Sequence, residues 1–215
     1  MLEHRTVSLA EQVFERLETD ILSGKYAPGE VLTELKLVGD LGVSRTPIRE
    51  ALHRLEQEHI VEISQRGILV RGVSRRDLED ILEIRIRTEG LAAAMAAVRI
   101  TDEELEELKE TIELQEFYVP KHDADRINGM DSRFHQLIYR FSGSVPLYDT
   151  LMPLHKKLMK YRRASVENEV RSANSFLEHR AIYDAIAAHD PKLAEERMQA
   201  HIANAKAHIQ NKGKA

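Results

Sequence analysis

Cysteine and tryptophan are both absent from this 215-residue chain. Without cysteine there is no disulfide framework and no thiolate metal site. Aromatic residues make up only 5% of the chain against 31% charged residues, the profile of a helix-rich soluble protein. Long hydrophobic runs are missing too. The longest, Leu91 to Val98, is too short and too rich in alanine to span a bilayer. Met1-Leu2-Glu3-His4-Arg5 mixes charges with no apolar segment, so it does not read as a secretory leader. The expectation is a cytoplasmic protein with no membrane partner.

A basic balance is also lacking. The net charge is −5, and residues 1–75 carry 10 Lys/Arg against 12 Asp/Glu. Bulk charge therefore gives no sign of a nucleic-acid partner. Any such case rests on where Arg45, Arg49, Arg54, Arg66 and Arg71 fall.

What is present is a clear order of elements. Ser8 and Glu11 form a capping box for a helix to about Leu22, with Leu9, Val13, Leu17 and Ile21 on one stripe. Gly24 and Pro28-Gly29 end it. Thr33 to Leu41 reads as a short second helix. After Leu41-Gly42-Val43, Ser44 caps a third, with Pro47 tolerated in its first turn. Ile48, Ala51, Leu52 and Leu55 form its apolar face. Arg45, Thr46 and Arg49 lie on the other face near its N-terminus, as reading side chains do on a recognition helix. Val61-Glu62-Ile63 and Ile68-Leu69-Val70 flank Gln65-Arg66-Gly67 as a hairpin. Three helices and a hairpin predict a winged helix-turn-helix over residues 1–72.

Residues 73–215 predict an all-α antiparallel bundle, so the fold class is mainly α. Six helices are expected: about 75–98, 101–118, 123–141, one from near Pro146 kinked at Pro153, one from Ser172 or Ser175 to His189, and 191–210. The tail from Asn211 reads as frayed. On the third, Ile127, Met130, Phe134, Leu137, Ile138 and Phe141 form an apolar stripe, and Asp131 and His135, four apart, point within it. His179 and His201 lie on apolar faces of the last two helices. Inward polar groups need a partner or a task. Imidazoles and a carboxylate suit a divalent transition metal, although a lone inward histidine is more often a hydrogen-bonded core residue. A metal-dependent enzyme is the rival reading. Against it, there is no HExxH and no pair of ExxH sequences of the di-iron type.

Several segments carry a resemblance. Gly24-Lys25-Tyr26-Ala27-Pro28-Gly29-Glu30-Val31-Leu32, Leu41 through Leu52, and Arg66-Gly67 resemble the DNA-binding domain of GntR-family bacterial regulators. His59 departs from the pattern, which usually has glycine there. Leu82-Glu83-Ile84-Arg85 with Glu89, Asp131 through His135, Glu178 through Ile182, and His201-Ile202 resemble the FadR subfamily's C-terminal ligand-sensing domain, in its VanR-like six-helix branch. The resemblance implies a transcription regulator, a repressor by expectation, that binds near-palindromic double-stranded operator DNA as a homodimer. It implies DNA contacts from Ser44, Arg45, Thr46, Arg49, Arg66 and Gly67. It also implies one divalent metal per chain, zinc first with nickel, iron or manganese as alternatives, on Asp131, His135, His179 and His201. Arg85 is implied to grip a small organic acid effector. The alternatives for Arg85 are a snorkelling surface side chain or an i,i+4 pair with Glu89. Arg162, Arg163 and Arg171 read first as a solvated face, with reach into the pocket as the alternative.

Overall fold

The structure, a computed structural model, describes residues 7–212. The readings of Met1–Arg5 and of the tail beyond Lys212 lie outside the described residues. The chain divides into two compact units, residues 1–75 and 76–215.

The first unit runs α1 (Leu9–Leu22), β1 (Val31–Leu32), α2 (Glu34–Leu41), α3 (Arg45–Gln57), β2 (Val61–Ser64) and β3 (Gly67–Val70). Ser8 Oγ accepts from the Glu11 amide at 3.1 Å, and Thr33 Oγ1 from the Lys36 amide at 3.2 Å, so α1 and α2 start on capped amides. Ser44 takes the N-cap position of α3, but its hydroxyl makes no capping bond, contrary to expectation. His59 has φ +60° and ends the α3 region in the left-handed conformation that glycine would adopt more easily. Leu17, Leu37, Ile48 and Leu55 are wholly buried in one core with Ile60 and Val70.

The hairpin pairs Val61 with Val70 and Ser64 with Gly67. It belongs to a three-stranded antiparallel sheet, ordered β1-β3-β2, rather than standing alone. The two-residue β1 was not legible as a strand because so short a run has no period. It explains Gly67. A Cβ there would sit 2.8 Å from the Leu32 carbonyl oxygen and 2.9 Å from Val31 Cγ1, and φ is +119°.

Among its described residues the second unit is all α-helical apart from a 3-10 turn at Val119–Lys121. Its helices are α4 (Arg75–Arg99), α5 (Asp102–Tyr118), α6 (Ala124–Phe141), α7 (Val145–Lys157), α8 (Met159–Val166), α9 (Glu169–Ala187) and α10 (Pro191–Lys212). Thr101 and Glu104 complete a reciprocal capping box at the start of α5. The expected fourth helix is two, so among the described residues seven helices stand where six were predicted. Pro153 lies inside α7, and the break falls at Leu158, where φ −95° and ψ 7° leave helical geometry. α9 begins earlier than predicted, because the Asn168 side chain accepts from the Arg171 amide at 2.9 Å. Small residues, Ala92, Ala93, Ala96 and Ala97, are buried along α4. At Gly90 a Cβ would meet Gln199 of α10 at 2.8 Å, so these two helices approach closely there. Among the described residues no helix is long and apolar enough to cross a membrane.

Gly67→Ala introduces both the clash and the backbone strain, and should destabilise the first unit by about 2 kcal/mol. Chemical denaturation followed by circular dichroism measures this. An unchanged midpoint would show that β1 yields without cost.

Candidate functional site

Three helices bring Asp131 and His135 (α6), His179 (α9) and His201 (α10) together. All four are buried. His179 Nε2 lies 3.2 Å from His201 Nε2, which lies 3.3 Å from His135 Nε2. The ligand atoms of the three imidazoles fall within 4.8 Å of one another. Asp131 Oδ1 stands 3.7 Å from His179 Nε2, alongside the cluster but beyond hydrogen-bond reach.

Each ring is turned by what its other nitrogen touches. His135 Nδ1 is 2.9 Å from Glu89 Oε2, and His201 Nδ1 is 2.7 Å from Glu178 Oε2. His179 Nδ1 is 2.8 Å from Gln115 Oε1. The Gln115 amide nitrogen donates to the Met130 carbonyl at 3.3 Å, which fixes its oxygen toward His179. Carboxylate and amide oxygens only accept, so all three Nδ1 atoms carry the proton. All three Nε2 atoms then present lone pairs to one point. Three facing lone pairs repel unless a cation lies among them, and this donor set fits a divalent transition metal. Burial, then the neighbouring imidazoles, push the His179 pKa well below its ordinary value. Burial lowers that of His201 too, although Glu178 opposes it.

The acceptors are themselves held. Burial alone would raise the Glu89 carboxyl. The Arg85 guanidinium and His135 outweigh that and hold it well below the carboxylate range. Glu178 is brought down to about 2, against burial, by hydrogen bonds from His201 and Arg171. Arg85 bonds Glu89 through Nε, and is buried rather than snorkelling. Arg171 grips Glu178 through two bonds of 2.9 Å.

Beside the imidazoles lies a cavity of about 40 Å³ whose walls include Arg85, Asp131, Arg162, Arg171 and Ser172. Two of these correct the sequence reading. Arg162 and Arg171 are not on a solvated face; they line the cavity. Arg163 is exposed and pairs with Asp125 at 2.9 Å, as the reading expected. Gln115 and Glu178 were missed as orienting groups. Gln115 follows Leu108, Thr111 and Ile112 at helical spacing, so its inward position was readable from period. That Glu178 and the adjacent His179 serve different rings was not.

In the first unit Ser44, Arg45 and Thr46 are exposed at the start of α3, and Arg66 at the two-residue hairpin tip. Arg49 is exposed but donates from Nε to Glu34 Oε1 at 2.8 Å. Arg54 is half-buried and engaged within the unit. It bonds Glu11 at 2.5 and 3.2 Å and lies 3.8 Å over the Phe14 ring, tying α3 to α1. Arg71 pairs with Glu62 across the hairpin. Gly67 serves the approach of β1 described above.

A winged helix joined to an all-helical sensing unit is the architecture of a ligand-responsive transcription regulator. Residues 9–70 match the bacterial regulatory proteins of the gntR family, and residues 80–204 match the FCD domain. The chain belongs to the GntR family of transcription regulators that carry an FCD domain, and it is not an enzyme. It is 26% identical to the HTH-type transcriptional repressor RspR of Escherichia coli (strain K12), over 92% of this chain and 87% of that one. It is 28% identical to the HTH-type transcriptional regulator YdhC of Bacillus subtilis (strain 168), over 89% and 86%. Among solved structures, E. coli McbR/YncC superposes with a TM-score of 0.82 at 26% identity, over 96% of this chain and 99% of that one.

The tautomers are directly measurable. Long-range ¹⁵N–¹H correlation spectra should show His135, His179 and His201 protonated at Nδ1. An Nε2-protonated ring at any of the three would contradict the geometry.

Proposed function

We propose that this regulator is an operator-binding repressor whose DNA affinity responds to a small carboxylate bound at a divalent metal in its helical unit. The observation that carries the reading is the convergence of three Nε2 lone pairs, each set by a second partner on Nδ1. His135, His179 and His201 would hold the metal, with Asp131 swinging in as a fourth ligand. Zinc is the first candidate; nickel, iron or manganese suit the same donors. When bound, the ion supplies a Lewis-acid centre able to take a carboxylate oxygen in an open position. Effector and operator binding are then thermodynamically linked. The similarity to the repressor RspR supports repression.

On the DNA side, Arg45 and Thr46 read base edges in the major groove, and Arg66 reaches the backbone or minor groove from the hairpin tip. Arg49 joins them by exchanging Glu34 for a base or phosphate. Homodimerisation supplies a second half-site. It is supported by Ile84, Leu91 and Val98, which are exposed at seven-residue intervals along α4.

Three outcomes are expected. Arg45→Ala should weaken operator binding by about 1–3 kcal/mol with no change in helicity; gel-shift titration at fixed salt reads this, and equal affinity of wild type for operator and random DNA would exclude specific reading. Elemental analysis should find one divalent ion per chain, and a chelator should lower the melting temperature. Full occupancy in His179→Ala/His201→Ala would refute these ligands. Sedimentation at micromolar concentration should give twice the 24.6 kDa chain mass, and Leu91→Glu should shift it toward the monomer. A strict monomer, free and on DNA, would contradict the assembly.

A further inference from the structure

The charges around the cavity come in three pairs. Arg85 is bonded to Glu89, and Arg171 to Glu178. Both arginines are thereby committed to carboxylates that orient imidazoles. The third pair, Arg162 and Asp131, is loose, at 3.5 Å from Nη1 to Oδ2. Arg162 also donates from Nη1 to His155 Nε2, while its Nε, fully buried, has no partner. Ser172 Oγ is likewise buried without a partner, and both residues wall the same cavity. With neutral imidazoles the cavity is therefore balanced, three cations against three anions. Adding a divalent ion leaves two positive charges in excess. Asp131, 3.7 Å from His179 Nε2, would then be drawn toward the metal and away from Arg162.

We propose that the effector is a compact dianion, one carboxylate on the metal and the second negative group on Arg162 and Ser172, with Arg85 serving only to hold Glu89. The inference rests on the metal reading above. A buried guanidinium whose counter-charge has been drawn away, next to an unpartnered hydroxyl, is a site for an acceptor-only group. Roughly 10–15 Å³ accommodates one ordered water by the usual measure, so a cavity of about 40 Å³ is room for about three waters and favours the smallest diacids over a sugar acid. The arginine that reads the effector therefore sits on α8, not on α4.

The test is calorimetric titration of the full-length, zinc-loaded protein with malonate and with acetate at matched ionic strength. Wild type should bind malonate at least about tenfold more tightly than acetate, the order of one charge-assisted hydrogen bond. Arg162→Gln should erase that preference while keeping one zinc per chain, and Arg162→Lys should restore part of it. Arg85→Gln should instead weaken zinc binding itself. If Arg162→Gln fails to fold, Ser172→Ala decides, with malonate affinity expected to fall and zinc content to stay. A malonate preference that survives Arg162→Gln, or is unchanged in Ser172→Ala, overturns the proposal. So does a zinc-loaded wild type that does not distinguish the two acids. A wild type that retains no zinc instead removes the metal reading beneath it.

Discussion

The second unit is organised around the orientation of three imidazoles. Two of them are set by ion pairs, Arg85–Glu89–His135 and Arg171–Glu178–His201. The third is set by a neutral amide, Gln115 on His179. A fully buried carboxylate such as Glu89 is costly unless it is paired and its lone pairs are used. Here one oxygen meets Arg85 and the other His135, so both conditions hold. Five helices contribute to this arrangement: α4, α5, α6, α9 and α10. Their packing and the geometry of the cluster are one problem, because a shift of any helix by an ångström turns a ring away from the common point.

The first unit follows a different economy of charge. It is formally acidic, and most of its arginines are spent internally. Arg54 joins α3 to α1 through Glu11, and Arg71 braces the hairpin on Glu62. Arg49 is shared with Glu34. Arg45 and Arg66 remain outward at the recognition helix and the hairpin tip. Few outward cations mean weak non-specific attraction to phosphate. That suits the proposed pair of half-sites, whose joint engagement would supply the affinity.

Much of this was legible in the residues. The caps at Ser8 and Thr101, the Gly42 turn and the apolar stripe of α6 all have local causes, and local causes can be read from a single sequence. His59 was recognisable as a departure, and its left-handed backbone shows that the turn persists without glycine. The unreadable parts are non-local. β1 exists only by pairing with β3. The break falls at Leu158, five residues beyond Pro153, where no breaker residue marks it. The four site residues on α6, α9 and α10 were identified from helix faces. Their orienting partners on α4 and α5 lie about 46 and 64 residues away in sequence. No period reveals such a pairing.

The proposed metal site depends on imidazole coordination through Nε2. X-ray absorption at the zinc edge of the reconstituted protein tests it most directly. The prediction is a first shell of nitrogen and oxygen at about 2.0–2.1 Å, with outer-shell scattering from three imidazole rings. A shell of oxygen alone, or scattering from fewer than three rings, would contradict it.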